Sequence, residues 1–415
     1  MQLKQLLKKT LIFGLGVVVV SLILSLVVGE FIVKHIYPQQ TYSLARAQGL
    51  NIFEPSSLLP FTLKKNVDKF LHLAFTREFT HFASTNTHAT RGHDFTDEKP
   101  QDTYRILFLG DSITFGWGVE DNEAYPVLVE KLLNPLLKKG EYKQVETINA
   151  GFTDTNSPDT YYLFYKEIGR KYNPDLVIVN FHPPNDIGDL ADHSWDQVDQ
   201  NQLPLKISGK TYKADNGFLV TRKKTKWKYE IPILRDWHLG ILFFNALEKG
   251  APQIVDQIER SLGIEEEKEV FNQNDIYTCI YSMKKEDCKD ELWQSLEVSK
   301  QMFVALQKIT SENSDALIVT HMPGPHQIVP LFEKPERQEL LKNLNPQKAY
   351  AAFFKDRQFD YIDFTDPLLA QNPKDVFYHL DGHINKRGHE VVAKAIVVYL
   401  QKSKPELFDM GGVPQ

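Results

Sequence analysis

Two short segments, far apart in the 415-residue chain, contain residue types that act together in nucleophilic catalysis. Residues 110–114 read Gly-Asp-Ser-Ile-Thr and directly follow the apolar run Arg105–Leu109. Residues 381–383 read Asp-Gly-His and place a carboxylate two residues before an imidazole. A serine hydroxyl becomes a good nucleophile when a base takes its proton and a third group orients that base. Because Ser112, His383 and Asp381 supply these three parts, the sequence predicts serine-dependent acyl hydrolysis or acyl transfer.

Two further residues are candidates for stabilising the negative charge that forms when an ester carbonyl is attacked. Gly151 follows the apolar run Val145–Ile148, and Asn185 follows the run Leu176–Phe181. Donors aimed at such an oxyanion are each worth about 3–4 kcal/mol in the barrier. We therefore predict an oxyanion hole formed by the backbone N–H groups of Ser112 and Gly151 and the side-chain amide of Asn185. Asn-Asp after two prolines is equally typical of a turn, so this motif alone is weak evidence for a role in an oxyanion hole.

The elements that must position these residues alternate between strands and helices. Short apolar runs rich in branched residues recur along the chain, with amphipathic stretches at helical spacing between several of them. This alternation predicts an α/β fold in which helices cover both faces of a mainly parallel sheet, a three-layer α/β/α arrangement. Ligands bind such sheets beyond the carboxyl ends of the strands. Since Ser112, Gly151 and Asn185 each follow an apolar run by a few residues, we expect them at one edge of the sheet.

The N-terminal residues predict a membrane anchor. Residues 11–29 carry no charge, and as a helix they would span about 28 Å, close to the hydrocarbon thickness of a bilayer. Lys4, Lys8 and Lys9 precede them, so the positive-inside tendency predicts a cytoplasmic N-terminus and an extracytoplasmic remainder, periplasmic or at the cell surface. The alternative is a cleaved signal peptide, although no Ala-x-Ala-like site follows Gly29.

We divide the chain into three parts. Residues 1–37 form a cytoplasmic stub and the transmembrane anchor, residues 38–103 a juxtamembrane segment without a clear period, and residues 104–415 the main domain. The alternation of strands and helices fails over about 190–290, which predicts an insertion that either shapes substrate choice or is an inert elaboration. Cys279 and Cys288 lie in this insertion, as a local disulfide of an exported domain or as two free thiols.

Composition and missing motifs argue against several classes of function. The net charge is −6 and the pI is about 6.1, and no basic run occurs, so we expect no nucleic-acid partner. Neither the Gly-x-Ser-x-Gly elbow of the α/β-hydrolases nor a Gly-x-x-x-x-Gly-Lys-[Ser/Thr] phosphate loop is present. No His-Glu-x-x-His pattern or other close ligand pair supports a metal site. We therefore predict no metal and no cofactor, and the sequence leaves protein partners open.

Four blocks of the sequence together resemble the SGNH, or GDSL-like, hydrolase superfamily. They are the Gly-Asp-Ser block at 110–112, the Asn-Ala-Gly block at 149–151, the Pro-Pro-Asn-Asp block at 183–186 and the Asp-Gly-His block at 381–383. The resemblance implies a flavodoxin-like three-layer fold with Ser112 as nucleophile, His383 as base and Asp381 as its orienting group. It also implies that Gly151 and Asn185 join the Ser112 N–H in the oxyanion hole.

Two features depart from the pattern of that family. Pro183 stands where the asparagine block usually has glycine, and Asp381 precedes the histidine by two residues where three are usual. Some exported acyltransferase-like members, including those that modify exopolysaccharides, are similar to this shorter form. We expect a membrane-anchored serine esterase that cleaves O-acyl esters, such as acetyl, on a surface glycan or lipid. The alternatives are an O-acyltransferase with the same triad and a non-catalytic envelope-binding protein.

Overall fold

The computed structural model describes residues 2–37, 39, 41, 51–73, 78–138, 140, 142–153, 155–215, 217–221, 234–261, 273–328, 339 and 342–409. Within these residues the helices are α1 (Gln2–Ile36), α2 (Ser112–Phe115), α3 (Tyr125–Leu133), α4 (Pro158–Glu167), α5 (Pro183–Asp192), α6 (His238–Gly250), α7 (Pro252–Ser261), α8 (Gln273–Ser282), α9 (Asp290–Glu312), α10 (Pro325–Ile328), α11 (Asn345–Asp356), α12 (Thr365–Leu369), α13 (Pro373–Val376) and α14 (Lys386–Ser403). The strands are β1 (Phe53–Glu54), β2 (Thr62–Leu63), β3 (Phe70–Leu73), β4 (Thr80–Ala83), β5 (Thr103–Gly110), β6 (Gln144–Gly151), β7 (Leu176–Phe181), β8 (His193–Val198), β9 (Pro204–Gly209), β10 (Tyr212–Asp215), β11 (Phe218–Thr221), β12 (Ala316–His321) and β13 (Asp360–Asp363).

The central sheet has five parallel strands in the order β13-β12-β7-β5-β6. Every residue of β5 and β7 is buried, as expected for strands that are covered on both faces. The order places β5 between β6 and β7, so the residues that follow these three strands lie at neighbouring positions on the carboxyl edge of the sheet. The predicted α/β fold with a mainly parallel sheet is confirmed.

Two hydrophobic cores, one on each face of the sheet, produce the three layers. Leu107 and Leu109 of β5 belong to the core that α4 and α9 cover, whereas Ile106 and Phe108 belong to the core that α3 and α14 cover. Successive side chains of a strand point to opposite faces, so one continuous apolar strand serves both cores.

Contacts between residues divide the chain into two compact units. The first unit comprises residues Met1–Gly49 and Lys223–Lys268, and its described helices are α1, α6 and α7. The second unit comprises residues Leu50–Arg222 and Glu269–Gln415 and contains the parallel sheet. The juxtamembrane segment from Leu50 onward therefore belongs to the unit with the sheet, and the insertion is divided between the two units.

Among the described residues of the second unit, four two-stranded antiparallel sheets accompany the parallel sheet. They pair β1 with β2, β3 with β4, β8 with β9 and β10 with β11. Cys279 in α8 and Cys288 before α9 form a disulfide, with an Sγ–Sγ distance of 2.05 Å. The structure thus decides between the two alternatives that the sequence left open for this pair.

Helix α1 contains the predicted anchor. Among the described residues, Ile12–Ile36 is the one stretch that is long and apolar enough to cross a bilayer, and none of the residues in its most apolar 18-residue window is buried inside the protein. An N-terminal helix that could span a membrane is therefore present. Its orientation stays a prediction.

Candidate active site

A tight turn at the end of β5 presents Ser112. The side chain of Asp111 accepts a hydrogen bond from the backbone N–H of Ile113 (2.9 Å) and so caps the short helix α2, which begins at Ser112. The helix ends after one turn at Gly116, whose φ of 93° lies in the left-handed region that favours glycine. Gly110 permits the close return of the chain, because an added Cβ would lie 2.0 Å from the hydroxyl of Thr114.

The structure brings Ser112, His383 and Asp381 together in one hydrogen-bond chain. Ser112 Oγ lies 2.8 Å from His383 Nε2, and His383 Nδ1 lies 2.5 Å from Asp381 Oδ1. Because an ionised carboxylate accepts hydrogen bonds and cannot donate them, the imidazole proton lies on Nδ1. The other ring nitrogen, Nε2, is then able to accept the proton of the serine hydroxyl. Burial alone would raise the pKa of Asp381, but its hydrogen bonds and attraction to His383, with a bond from Trp117, hold that pKa below its ordinary value.

Trp117 completes the environment of the carboxylate and was not singled out from the sequence. Its Nε1–H donates to Asp381 Oδ2 at 3.3 Å, and its ring centroid lies 5.7 Å from that of His383. Each oxygen of Asp381 therefore has its own donor. A lone tryptophan five residues after the serine gives no sequence signal of this contact, which spans 264 positions of the chain.

Glu78 holds the loop that presents Asp381. Its carboxylate accepts the backbone N–H groups of His379 (2.7 Å), Leu380 (2.8 Å) and Asp381 (2.7 Å). Charge-assisted bonds of this kind are roughly twice as strong as neutral ones, so three of them fix the path of the loop. Glu78 lies in the segment 38–103, where the sequence showed no period, and its role could not be predicted there.

Arg91, from the same segment, fixes the other side of the site. Its guanidinium donates to the backbone carbonyls of Phe115 (2.6 Å), Gly116 (2.5 Å) and Val119 (2.6 Å), and Nε donates to Asp121 at 2.8 Å. The carbonyls at the end of a helix have no partner within it, so this buried cation holds the end of α2 and thereby the position of the serine.

The structure places Gly151 differently from the prediction. Its backbone N–H donates to the side-chain carbonyl of Asn149 (3.0 Å), and Gly151 is not among the described residues that line the cleft at Ser112. An added Cβ would lie 2.2 Å from the backbone nitrogen of Phe115. The glycine therefore lets β6 approach the backbone of α2, and the hydrogen bond to Asn149 occupies the N–H that was predicted to bind an oxyanion.

Asn185 lines the same cleft as Ser112 and His383. It lies in the first turn of α5, and its side-chain Nδ2 donates to Asp189 Oδ2 at 3.1 Å. Pro183 is the first residue of this helix, where a missing backbone N–H is tolerated and the fixed φ of proline is favourable. The departure from glycine in this block therefore begins a helix, and the asparagine still reaches the cleft.

The cleft has a cavity volume of about 560 Å³, and two further histidines, His182 and His326, line it together with His383. The Nδ1–H of His182 donates to the backbone carbonyl of Met322 at 3.1 Å. Burial is the main reason that the pKa of His182 is lowered, so its imidazole is neutral and Nε2 is a hydrogen-bond acceptor. Asp111 and Asp189 also line the cleft, whereas none of its described lining residues is lysine or arginine.

Solved structures similar to this chain include GDSL-type hydrolases and esterases, whereas no family model and no curated protein matches the sequence. A lipolytic protein of the G-D-S-L family from Desulfitobacterium hafniense is 11% identical, with a TM-score of 0.35, and the match covers 71% of this chain and 98% of that one. A lipase/acylhydrolase from Enterococcus faecalis is 15% identical, with a TM-score of 0.35 and coverage of 75% and 98%.

A two-domain esterase active on acetylated mannans is 14% identical to this chain, with a TM-score of 0.35. The match covers 75% of this chain and 52% of the esterase, so the chain spans about half of its length.

Proposed function

We propose that the protein is a membrane-anchored, extracytoplasmic serine esterase that removes O-acyl groups, such as acetyl, from a surface glycan or lipid. The single observation that carries this proposal is the hydrogen-bond chain from Ser112 through His383 to Asp381. Hydroxyl, imidazole and carboxylate in this order form the geometry that activates a serine for attack on an ester.

In the first half of the reaction, His383 Nε2 takes the proton of Ser112 as Oγ attacks the ester carbonyl. The tetrahedral intermediate then collapses, the alcohol leaves with the proton from His383, and the acyl group stays on Ser112 as an ester. In the second half, water gives a proton to His383 and attacks this acyl-enzyme, and the serine recovers its proton as the free acid leaves. Asp381 stays ionised throughout, because its pKa is held low.

The backbone N–H of Ser112 and the side-chain Nδ2 of Asn185 are the proposed donors to the oxyanion. The first N–H groups of a helix have no partner within it, and Ser112 is the first residue of α2. Asp189 accepts one proton of the Asn185 amide, which orients Nδ2 and leaves its second proton for the cleft. Gly151 has a supporting part in this proposal, since it allows α2 to lie against β6.

The lining of the cleft favours an uncharged substrate with many hydroxyl groups. His182 Nε2 and the carboxylates of Asp111 and Asp189 accept hydrogen bonds, and sugar hydroxyls are donors that fit them. Trp117 and Tyr212 add flat apolar surfaces on which the C–H faces of a sugar ring can pack. The triad side chains are partly exposed, 26% for His383 and 15% for Asp381, so water reaches the acyl-enzyme and hydrolysis is the favoured outcome.

Two observations support the proposed location. Helix α1 has the length and apolar composition of a membrane span, and lysines at positions 4, 8 and 9 favour a cytoplasmic N-terminus. The disulfide between Cys279 and Cys288 fits an oxidising compartment, because such bonds are rare in the cytosol.

The full-length protein in detergent micelles, incubated with p-nitrophenyl acetate, tests the serine mechanism. We expect Ser112→Ala to abolish turnover, and Ser311→Ala, which changes an exposed serine in α9, to leave it unchanged. A fluorophosphonate should label the wild type on the peptide that contains Ser112 and should not label Ser112→Ala. Equal rates in wild type and Ser112→Ala would refute the mechanism. Acetate released from an acetylated glycan by wild type alone would identify the substrate class.

A further inference from the structure

Helix α6, in the unit that contains the anchor, begins against the outer end of the predicted membrane span. The carboxylate of Glu30 accepts the backbone N–H of Leu239 (2.7 Å) and of His238 (3.2 Å). The residue before the helix, Trp237, makes no side-chain cap of its own. A carboxylate from α1 therefore supplies the cap, where negative charge also interacts favourably with the helix dipole.

The contact is close and is built from several residues. Gly29 leaves room for α6, because an added Cβ would lie 2.9 Å from Leu239 Cδ2. Beyond the end of α1, the backbone N–H of Gln39 donates to His238 Nδ1 (3.0 Å), and Gln39 Oε1 accepts from Asn245 (3.2 Å). Glu30 would be a costly charge at the end of an apolar helix, and this arrangement gives it partners.

The position of this contact along α1 sets its depth. Residues 11–29 extend over about 28 Å at the rise of an α-helix, so Glu30 lies at the far edge of the hydrocarbon layer that α1 would cross. Trp237 lines a groove with Ile23, Leu26, Val27 and Glu30, and Ile23 lies about 10 Å further into that layer than Glu30. The start of α6 is therefore at the level of the outer leaflet.

The surface of α6 is suited to this environment. Residues 238–247 contain no Lys, Arg, Asp or Glu, and Phe243 is 61% exposed. On another side of the helix, Phe244 and Leu247 pack against Val255 of α7. An exposed phenylalanine in an uncharged ten-residue stretch of helix, preceded by a tryptophan, is the pattern of a segment that lies in the membrane interface.

We propose that α6 is a second membrane-contacting element, which lies in the outer leaflet beside α1 with Phe243 among the lipid acyl chains. The bilayer is the proposed partner of this surface, because Trp237 at the start of α6 shares a groove with Ile23, Leu26 and Val27 of α1, and the apolar side chains of α1 around them are exposed. This inference rests on the membrane anchoring proposed above and is independent of the esterase activity. The chain then meets the membrane at two places separated by some 200 positions of sequence.

Fluorescence quenching in phosphatidylcholine nanodiscs tests the proposal on the full chain. Both native cysteines are in the disulfide, so a single added cysteine can be labelled with the dye NBD. Phe243→Cys is the test position, Leu24→Cys in α1 is the membrane control, and Lys308→Cys in α9, whose side chain is 71% exposed, is the aqueous control. Lipids with a doxyl group at acyl carbon 5 quench from inside the bilayer, and iodide quenches from water.

We expect the doxyl lipid to lower the NBD fluorescence at position 243 at least twofold and iodide to have little effect there, with the reverse at position 308. Iodide quenching at position 243 equal to that at 308 would overturn the proposal. Protection of position 243 from both quenchers would also overturn it, since a protein partner or a second copy would then cover the helix. Loss of doxyl quenching at position 24 would show that the anchoring itself is wrong.

The contribution of Glu30 is tested in the same system. Glu30→Leu removes the cap of α6 while keeping α1 apolar, so it should lower the doxyl quenching at position 243 at least twofold and leave that at position 24 unchanged. Unchanged quenching at both positions would show that Glu30 does not hold α6 in the leaflet.

Discussion

Asp381→Asn, alone and combined with Trp117→Phe, probes the triad most sharply. Each oxygen of the carboxylate has a donor on its own side: His383 Nδ1 at 2.5 Å from Oδ1, and Trp117 Nε1 at 3.3 Å from Oδ2. An asparagine offers one acceptor and one donor in the same space. If its oxygen faces Trp117, its NH₂ faces Nδ1, and the imidazole proton moves to Nε2, where it blocks the base toward Ser112.

The size of the effect follows from this choice of orientation. The wrong tautomer in a serine triad lowers the rate by about 10⁴-fold, or roughly 5.5 kcal/mol, and we expect a loss of about 10³–10⁴-fold in kcat/KM for Asp381→Asn. The productive orientation places the NH₂ of asparagine against the Trp117 N–H. An unpaired donor of this kind costs about 1–3 kcal/mol, so removing it with Trp117→Phe should recover about 5–100-fold.

The assay is the initial rate of p-nitrophenyl acetate hydrolysis by the full-length wild type, both single variants and the double variant. Trp117→Phe alone should lower kcat/KM by about tenfold, because Asp381 loses one charge-assisted hydrogen bond. The double variant should be more active than Asp381→Asn. If the two losses simply multiply, the competition between Trp117 and His383 for the carboxylate does not operate and the reasoning is refuted.

Three further predictions concern the support of the site. Gly151→Ala should lower kcat/KM by about 100-fold or more, because its Cβ would displace the backbone that carries Ser112. Gly140→Ala, with open space around the added Cβ, should have no effect. Equal kcat/KM values for Gly151→Ala and wild type would contradict the packing role of Gly151. Replacing Cys279 and Cys288 by serine should lower the free energy of unfolding by about 2–3 kcal/mol, as expected for a loop of this length. The measurement is urea-induced unfolding of the variant and of the oxidised wild type. An unchanged unfolding midpoint would count against a structural disulfide. Burial lowers the pKa of His389 to about 3, so between about pH 6.5 and 3 the unfolded chain binds a proton that the native state does not, and the free energy of unfolding falls as the pH falls. His389→Gln should reduce the slope of the free energy of unfolding against pH by about 1.4 kcal/mol per pH unit in this range. Equal slopes in wild type and variant would refute the assignment.

Short sequence segments were sufficient to predict the candidate catalytic residues and the parallel sheet. The strand that ends at Gly110, the serine after it and the Asp-Gly-His block could be identified because each role needs a particular residue type next to a recognisable element. The alternation of apolar runs and amphipathic stretches predicted the parallel sheet for the same reason. Burial of β5 on both faces leaves an uninterrupted apolar strand in the sequence.

The direction in which the Gly151 N–H points was set by contacts that its own position in the sequence does not specify. Its position after an apolar run placed it correctly at the end of β6, at the carboxyl edge of the sheet. Whether its N–H faces the cleft depends on Asn149, two residues earlier, and on the packing of β6 against α2. Such directions are set by contacts across the fold, which a residue type does not specify.

The sequence by itself determined the candidate serine and histidine, the apolar N-terminal helix and the layered sheet, because these depend on residue type and on short-range periodicity. Only the tertiary structure revealed that Trp117 contacts the carboxylate of Asp381, that Glu78 holds the loop before His383 and that Arg91 holds the turn that carries Ser112. These groups act on residues distant in sequence through hydrogen bonds to backbone or carboxylate oxygens and N–H groups. Any charged or polar residue brought to the right place could make such bonds, so no local pattern marks the ones that do.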